Sequence, residues 1–167
     1  KVDEDAREPE RGAQAPAAER PKSGGRQSFL TFDLKSEEYG IPIVSVKEII
    51  LRRHVTRVPK AKKFVAGIMN LRGMVIPVID SGCKLGMGAD GANAENIIIV
   101  ENEHAITGML VDRVRDVVTL EENQIAEGTG SMGGPQGKFI RGVGRAVGKN
   151  LILLDVSDFC DPTEKYY

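Results

Sequence analysis

The chain has 167 residues, and its 23 Lys and Arg residues nearly balance its 24 Asp and Glu residues, which leaves a formal net charge of −1. That length predicts one ordinary domain, and because the basic residues form no long run, neither nucleic acid nor an anionic membrane surface is the expected partner. No apolar run approaches a membrane span of about 18 residues and no apolar signal sequence is present, so we expect a cytoplasmic protein without direct membrane insertion. In a reducing cytoplasm, Cys83 and Cys160 are expected to be free thiols.

The first segment, residues 1–27, predicts a disordered tail. It holds six bases and six acids, with Ala, Pro and Gly as most of the rest and Val2 as its one large apolar residue. Such a composition cannot bury enough surface to offset the chain entropy lost on folding. The folded domain is therefore predicted to span residues 28–162.

The folded part opens with a predicted hairpin. Residues 29–34 alternate between two faces with the period of a half-buried strand, and residues 39–43 resume the alternation after a turn. Residues 44–51 place Val46, Ile49 and Ile50 at helical spacing after the N-cap candidate Ser45. This spacing predicts a short helix or turn, with Glu48 pointing away from its apolar side.

A dense apolar stretch, residues 64–80, follows a short extended segment at 55–59. Gly73 favours a corner between two aliphatic runs that would hold Arg72 outward. Pro77 lacks an amide hydrogen, so it indicates an edge, a bulge or the rim of a barrel. One helical turn at 81–85 and a glycine-rich loop at 86–94 complete this half.

The second half repeats the alternation of short strands and turns. Residues 96–100 form a continuous apolar run that predicts a strand buried on both faces. Further strands are predicted within 106–118 and at 151–154, with turns at 121–125 and 156–160. The segment 128–137 contains five glycines and predicts an exposed, mobile loop.

The two halves share one pattern. Residues 64–80 and 139–155 carry an aromatic residue, two glycines and a final aspartate at matching positions without a gap. Upstream, residues 40–50 and 108–118 both read Gly, five residues, Val, a base, an acid and two β-branched residues. We therefore predict a duplicated all-β chain, in which two small barrels share a core.

The sequence contains no convincing catalytic or metal-binding pattern. The soft metal ligands His54, His104, Cys83 and Cys160 are widely separated and lack the spacing of a metal clip. Asp80 and Asp155 fall at equivalent strand ends, which favours turn or cap roles. We expect no catalytic residues, no metal and no cofactor.

Several segments, taken in order, resemble the CheW family, over residues 29–159. These are YGIPI at 39–43, VKEII at 46–50, VTRVP at 55–59, FVAGI at 64–68, NLRG at 70–73, IPVID at 76–80 and VDRV at 111–114. The resemblance implies two five-stranded, SH3-like β-barrels packed together with a few short helices. The first barrel would span about 36–93 and the second about 96–155, with terminal strands exchanged between them.

The resemblance also implies a cytoplasmic adaptor without catalytic activity, recruited to chemoreceptor arrays. It would couple methyl-accepting chemoreceptors to the histidine kinase CheA, whose regulatory domain shares the fold, and would join other CheW-like proteins in rings. The implied receptor-tip contact consists of Val46, Glu48, Arg72, Ile97 and Val117. The implied kinase contact consists of Val55, Gly67 and Val75.

The chain departs from the family pattern at three places. Lys62 stands where Pro is usual, Ser81 and Gly82 replace Leu-Arg, and residues 131–134 offer no aromatic anchor for a ring contact. Two alternative functions remain open. One is a CheW-like module of a larger signalling protein, such as a CheV-type adaptor or the regulatory end of a kinase. The other is a nucleotide-dependent enzyme that uses the glycine-rich loops, although these lack a strand-turn-helix context.

Overall fold

The computed structural model describes residues 25–88, 93–103, 105–127, 135–146 and 148–160. Most of the predicted tail and of the glycine-rich segment 128–137 lies outside these residues. The first strand begins at Arg26, because Arg26 and Gln27 pair with Glu121 and Leu120. The sheet therefore starts two residues before the predicted domain boundary.

The described residues form an all-β fold, as predicted, with eleven strands in two sheets and two helices of one turn, α1 and α2. The strands are β1 (Arg26–Leu34), β2 (Glu37–Pro42), β3 (Val46–Leu51), β4 (Val65–Leu71), β5 (Met74–Asp80), β6 (Asn96–Glu101), β7 (Ile106–Val111), β8 (Arg113–Glu121), β9 (Ile125–Glu127), β10 (Ile140–Ala146) and β11 (Lys149–Leu154). The helices are α1 (Ser81–Lys84) and α2 (Val156–Phe159), and 3-10 turns occupy Ile43–Ser45, Glu122–Gln124 and Pro135–Phe139.

Each barrel takes one hairpin from the other half of the chain. The first barrel is the sheet β3-β6-β7-β5-β4, and the second is the sheet β8-β1-β2-β11-β10-β9. The hairpin β1–β2 therefore completes the second barrel, while β6–β7 completes the first. The first barrel draws on residues 46–80 and 96–111 and the second on residues 26–42 and 113–154, beside predicted spans of about 36–93 and 96–155 with terminal strands exchanged.

The register of the sheets repeats the duplication read in the sequence. Gly40 on β2 lies opposite Leu153 of the parallel strand β11, and its counterpart Gly108 on β7 lies opposite Val78 of β5. A Cβ on Gly108 would approach Ile97 Cγ2 at 3.0 Å, so the glycine allows these strands to pack closely. The two halves are built on the same pairing scheme.

Both barrels are closed by a short segment that pairs with a bulged strand. In the first barrel Thr56 forms an isolated antiparallel bridge with Ile68 of β4. In the second barrel β9 pairs with β10, and Ala126 lies opposite Val143. Because the pairing of β9 with β10 is longer than the bridge at Thr56, β9 is a strand of its own. The second barrel therefore has six strands, whereas five were predicted for each barrel.

Of the segment 44–51 predicted as a short helix or turn, the start lies in the 3-10 turn Ile43–Ser45 and the rest forms strand β3, where Glu48 shares a face with Val46 instead of pointing away from the apolar side. Val46, Glu48 and Ile50 lie on its half-buried face, and Ile49 and Leu51 lie on its exposed face. The apolar residues of β3 therefore occupy both faces, which produced a false helical spacing. A register shift between Val46 and Glu48 against β6 adds to the irregularity.

Pro77 does not mark an edge of the sheet, because β5 pairs with both β4 and β7. Its pairing with β7 begins at Val78, one residue after Pro77, so the missing amide hydrogen removes no bond from that ladder. The strand β6 is buried on both faces as predicted. Ile97 and Ile99 face the core of the first barrel, whereas Ile98 and Val100 face a larger core shared by both barrels.

Candidate functional site

The most distinctive polar contact on the first barrel joins Arg72 to Glu48. Arg72 Nη1 donates hydrogen bonds to both carboxylate oxygens of Glu48, at 2.7 and 2.9 Å. The Arg72 side chain is 71% exposed and the Glu48 side chain 24%, so the guanidinium lies on the surface above a partly covered carboxylate. The hydrogen bond and the charge of Glu48 raise the pKa of Arg72.

The β4–β5 turn presents Arg72 as the sequence predicted. Arg72 and Gly73 both have positive φ angles, of 50° and 87°, and Asn70 Oδ1 accepts a hydrogen bond from the Gly73 amide at 2.9 Å. A positive φ at a residue other than glycine is uncommon and carries a conformational cost. The Asn70 contact and the Glu48 ion pair fix this turn with Arg72 facing outward.

Exposed apolar side chains lie close in sequence to both members of this ion pair, on β3 and on β5. Ile49, which follows Glu48, is 41% exposed and Leu51 is 77% exposed. Met74 and Val75, which follow the turn, are 45% and 63% exposed. Clusters of exposed apolar side chains with a polar neighbour are typical of protein contact surfaces.

The other residues predicted for the receptor contact have different environments. Val46 is half-buried and packs on the shared core, while Val117 on β8 is 54% exposed. Ile97 is fully buried in the core of the first barrel, as the apolar run at 96–100 predicted, although the resemblance lists it with the receptor contact. It can support the neighbouring strand β3 from beneath, but it offers no side-chain surface to a partner.

The three residues predicted for the kinase contact lie on β4, on β5 and before β4. Val55 is half-buried, Val75 is exposed, and Gly67 is buried at the bulge of β4. A Cβ on Gly67 would lie 2.3 Å from the carbonyl oxygen of Thr56, so only glycine allows this approach. The structure therefore gives Gly67 a packing role in closing the first barrel.

The sequence of the second barrel contains no counterpart of Arg72. Another kind of ion pair does join neighbouring strands in each barrel: Lys47 Nζ lies 3.4 Å from Glu101, and Arg115 Nε lies 2.8 Å from Asp33. In the duplicated pattern, however, Arg72 corresponds to Val147. The Glu48 and Arg72 pair is thus a feature of the first barrel, outside the shared architecture.

The predicted strand-end roles of Asp80 and Asp155 are confirmed. Asp80 Oδ1 accepts a hydrogen bond from the Cys83 amide, and Asp155 Oδ1 accepts one from the Asp158 amide, both at 3.2 Å. Each aspartate is therefore the N-cap of a one-turn helix. Both carboxylates have structural roles at the same place in each repeat.

The described residues give no support to a metal or redox site. Both cysteines are free, Cys160 is buried, and no three His, Cys, Asp or Glu side chains in the described ranges gather where they could hold a metal ion. His54 is exposed, and His104 lies outside the described residues. None of the helices found in these ranges is long and apolar enough to cross a bilayer.

Sequence reasoning missed a concentration of basic residues beside Val55, one of the residues predicted for the kinase contact. Six of the twelve residues from 52 to 63 are Arg or Lys, and none is Asp or Glu. The near-neutral net charge of the whole chain hid this local excess. A count in short windows would have revealed it.

Comparisons with known proteins agree on one family. The family model described as "CheW-like domain" matches residues 28–162. The chain is 33% identical over 139 residues to "Chemotaxis protein CheW" of Klebsiella aerogenes, covering 83% of this chain and 84% of that protein. It is 31% identical over 150 residues to the protein of the same name from Rhizobium meliloti, covering 89% of this chain and 96% of that protein.

A solved structure supports the same relationship at the level of the fold. The scaffolding protein TtCheW from Thermoanaerobacter tengcongensis superposes with a TM-score of 0.75 at 31% identity. The match covers 84% of this chain and 97% of that one.

Proposed function

The chain belongs to the CheW family of chemotaxis adaptors, and from this we propose that it couples methyl-accepting chemoreceptors to the histidine kinase CheA by protein contacts alone. In this proposal the protein is recruited from the cytoplasm to membrane-associated receptor arrays and catalyses no reaction. It also joins neighbouring CheW-like proteins in rings.

The observation that carries the receptor contact is the exposed Arg72 and Glu48 pair beside uncovered apolar side chains. The ion pair joins β3 to the β4–β5 turn at the surface. It therefore fixes the segment that carries Ile49 relative to the segment that carries Met74. Charged groups at the rim of an interface select the partner, whereas apolar side chains supply much of the contact. We assign the receptor tip to this surface, with Val46 and Val117 as further contributors.

The kinase contact lies on the same barrel, around Val55, Gly67 and Val75, and through Val75 it adjoins the receptor surface. Val55 lies in the segment that closes the barrel, and Gly67 packs on Thr56 in the same segment. A partner seated there would contact the barrel edge while the Arg72 surface engages the receptor. The receptor has two signalling states, which differ in their contacts with the adaptor. A change of receptor state then alters the position of the kinase, because receptor and kinase are bound to the same rigid adaptor.

The first experiment is a pull-down of the Glu48→Lys variant with a receptor cytoplasmic fragment and CheA. We expect loss of the receptor from the complex, because the introduced lysine would repel Arg72 and reverse the charge of the contact. The thermal midpoint should fall by no more than about 4 °C, since an ion pair with one exposed partner usually contributes about 1 kcal/mol or less. Glu127→Lys is the matched control, because Glu127 forms an exposed ion pair with Arg141 on the second barrel.

Two outcomes would contradict the proposal. Normal receptor recovery by a folded Glu48→Lys variant would remove this surface from the receptor contact. A large fall in the thermal midpoint would make Glu48 a structural residue.

The alternative function is that of a CheW-like module within a larger signalling protein, which would use the same surfaces. The complete open reading frame distinguishes this alternative from a separate adaptor, because it shows whether other domains adjoin the chain.

A further inference from the structure

A cleft of about 780 Å³ opens on the first barrel beside the segment that closes it. Its lining includes five basic side chains, and we call it the basic cleft: Arg52, Arg53, Arg57, Lys62 and Lys63. Asp80 is the one acidic residue in the described lining, and its carboxylate caps α1. The cleft is therefore strongly positive although the whole chain is almost neutral.

Much of this positive charge is not neutralised within the described part of the protein. Arg57, Lys62 and Lys63 are exposed, and none of them forms an ion pair with another described residue. Arg52 and Arg53 donate to the backbone carbonyls of Ala94 and Asn70, at 3.3 and 3.4 Å, and these hydrogen bonds position two guanidinium groups at the cleft. Like charges gathered along one cleft repel one another, which costs folding stability unless an acidic ligand offsets the repulsion.

The backbone beside the cleft carries a second cost. Lys60 adopts a φ angle of 65°, in the left-handed region where glycine or asparagine is the usual residue. The adjoining turn is closed by a hydrogen bond from the Ala61 amide to the Val58 carbonyl, at 3.2 Å. A lysine therefore occupies a turn position that favours glycine or asparagine, between two residues that line the cleft, Val58 and Ala61.

The cleft is also partly apolar, and this decides the class of ligand. Val55, Val58, Ala61, Val65 and Ala66 line it together with the basic side chains. A free phosphate would use only the basic side chains, whereas a peptide can place carboxylates against the basic side chains and apolar side chains against the apolar ones. The lining suits an acidic segment of a protein that also carries apolar residues.

We propose that the basic cleft binds an acidic segment of the kinase partner and so supplies the electrostatic part of the kinase contact. This inference rests on the proposed function, because Val55 lines the cleft and Gly67 packs on the neighbouring Thr56. Opposite charges across a contact chiefly raise the association rate and select the partner, and their effect weakens with salt. Kinase binding is then fast and salt-dependent, whereas the apolar part of the contact sets the remaining affinity.

The test measures binding of the full chain to the CheA regulatory domain by biolayer interferometry at about 50, 150 and 400 mM NaCl, a range over which added salt progressively screens exposed charges. The variant is Lys62→Glu/Lys63→Glu, and the control is Arg145→Glu, an exposed cation on the second barrel. We expect the double variant to bind at least about tenfold more weakly at the lowest salt, mainly through a slower association rate and with less salt dependence. Arg145→Glu should change the affinity by less than about twofold.

The outcomes separate this inference from the proposed function. Wild-type affinity and salt dependence in the double variant would overturn the basic cleft while leaving the kinase contact in place. Failure of the unmodified chain to bind the regulatory domain would overturn the proposed function itself. If the double variant melts at a lower temperature, Lys62→Gln/Lys63→Gln replaces it, and wild-type binding by that folded variant overturns the inference. Binding to phosphatidylglycerol vesicles that is lost in the double variant, with kinase binding unchanged, would assign the cleft to a membrane instead.

Discussion

Glu48 and Arg72 form a direct ion pair across the two edges of the five-stranded sheet. Glu48 lies on β3 at one edge, and Arg72 lies in the turn that ends β4 at the other. Arg53 Nη1 and the bridge between Thr56 and Ile68 make further contacts across the same gap. The pair therefore contributes to closing the first barrel as well as shaping its surface.

These two roles can be separated with the charge-swapped variant Glu48→Arg/Arg72→Glu. The swap restores an ion pair, so we expect a thermal midpoint within about 3 °C of the original protein. It reverses the charges offered to a partner, so receptor binding in a pull-down should remain as weak as in Glu48→Lys. Recovery of receptor binding by the swap would mean that the pair acts only through barrel closure.

A second prediction concerns the glycines at the two barrel bulges. A Cβ would lie 2.3 Å from Thr56 O at Gly67 and 2.5 Å from Ala126 O at Gly142, and backbone atoms cannot move aside cheaply. Gly67→Ala and Gly142→Ala should each lower the free energy of unfolding by more than about 2 kcal/mol in urea titrations.

Gly73→Ala is the control for these variants, because its φ angle is also positive but no atom lies within 4 Å of its Cβ position. It should cost about 1 kcal/mol, from the backbone conformation alone. Equal losses at Gly67 and Gly73 would contradict the steric explanation.

Local features of the fold followed from the sequence because they depend on neighbouring residues. The outward Arg72, the caps at Asp80 and Asp155 and the buried strand β6 each depend on a short pattern. The duplication was also readable, since matched residues keep one spacing in both halves. A repeat in the sequence requires only comparison of the chain with itself.

The partition of the strands could not be predicted in the same way. Whether β1–β2 pairs with β3 or with β8 depends on contacts between residues that are far apart in the chain, and each half has an equivalent partner to offer. The helix or turn predicted over residues 44–51 was confirmed only at its start, up to Ser45, and was wrong over β3 for a different reason. The exposed face of β3 carries the apolar residues Ile49 and Leu51. The alternation of apolar and polar residues that identifies a half-buried strand is therefore missing from this segment.

The candidate site was predictable only in part. Glu48, Arg72 and Val75 lie at the surface as the resemblance implied, whereas Ile97 is buried. The family resemblance identified matching positions in the sequence, but it did not indicate whether each side chain is exposed or buried. The basic segment was readable in a short window of the sequence, but the cleft that it lines forms only when this segment folds against β4.

A third prediction concerns Lys84, a nearly buried lysine between the two repeats. Its Nζ lies 4.1 Å from the ring centre of Phe64, 5.2 Å from that of Phe139 and 5.6 Å from that of Phe159. A cation over aromatic rings is favourable by about 0.5–2 kcal/mol, and the alkyl stem fills space among the rings. Lys84 thus joins α1 of one repeat to aromatic residues of the other.

Lys84→Ala should lower the free energy of unfolding by about 2–4 kcal/mol, since it removes the cation and leaves a cavity. Lys84→Met keeps most of the volume and should cost about 1–2 kcal/mol. Urea titrations of both variants measure the difference. Equal losses would show that packing among the rings contributes nothing beyond the charge.

The last prediction concerns the stability of the protein in alkali. Burial raises the pKa of Cys160 from 9.0 to about 12. Between these values the unfolded chain releases the thiol proton while the folded protein retains it, so the free energy of unfolding falls as the pH rises. The loss approaches about 1.4 kcal/mol per pH unit, and well below pH 9.0 this thiol contributes no pH dependence.

Urea titrations at about pH 8, 9, 9.5 and 10 test this, because the raised pKa of Tyr39 affects stability mainly above its ordinary value of 10.0. Cys160→Ala should flatten the fall in stability over the upper part of this range. Cys83→Ala is the matched control, since Cys83 is only half-buried and its pKa is raised less, so the fall should persist. Parallel curves for the original protein and Cys160→Ala over this range would show that Cys160 does not titrate on unfolding as its burial requires.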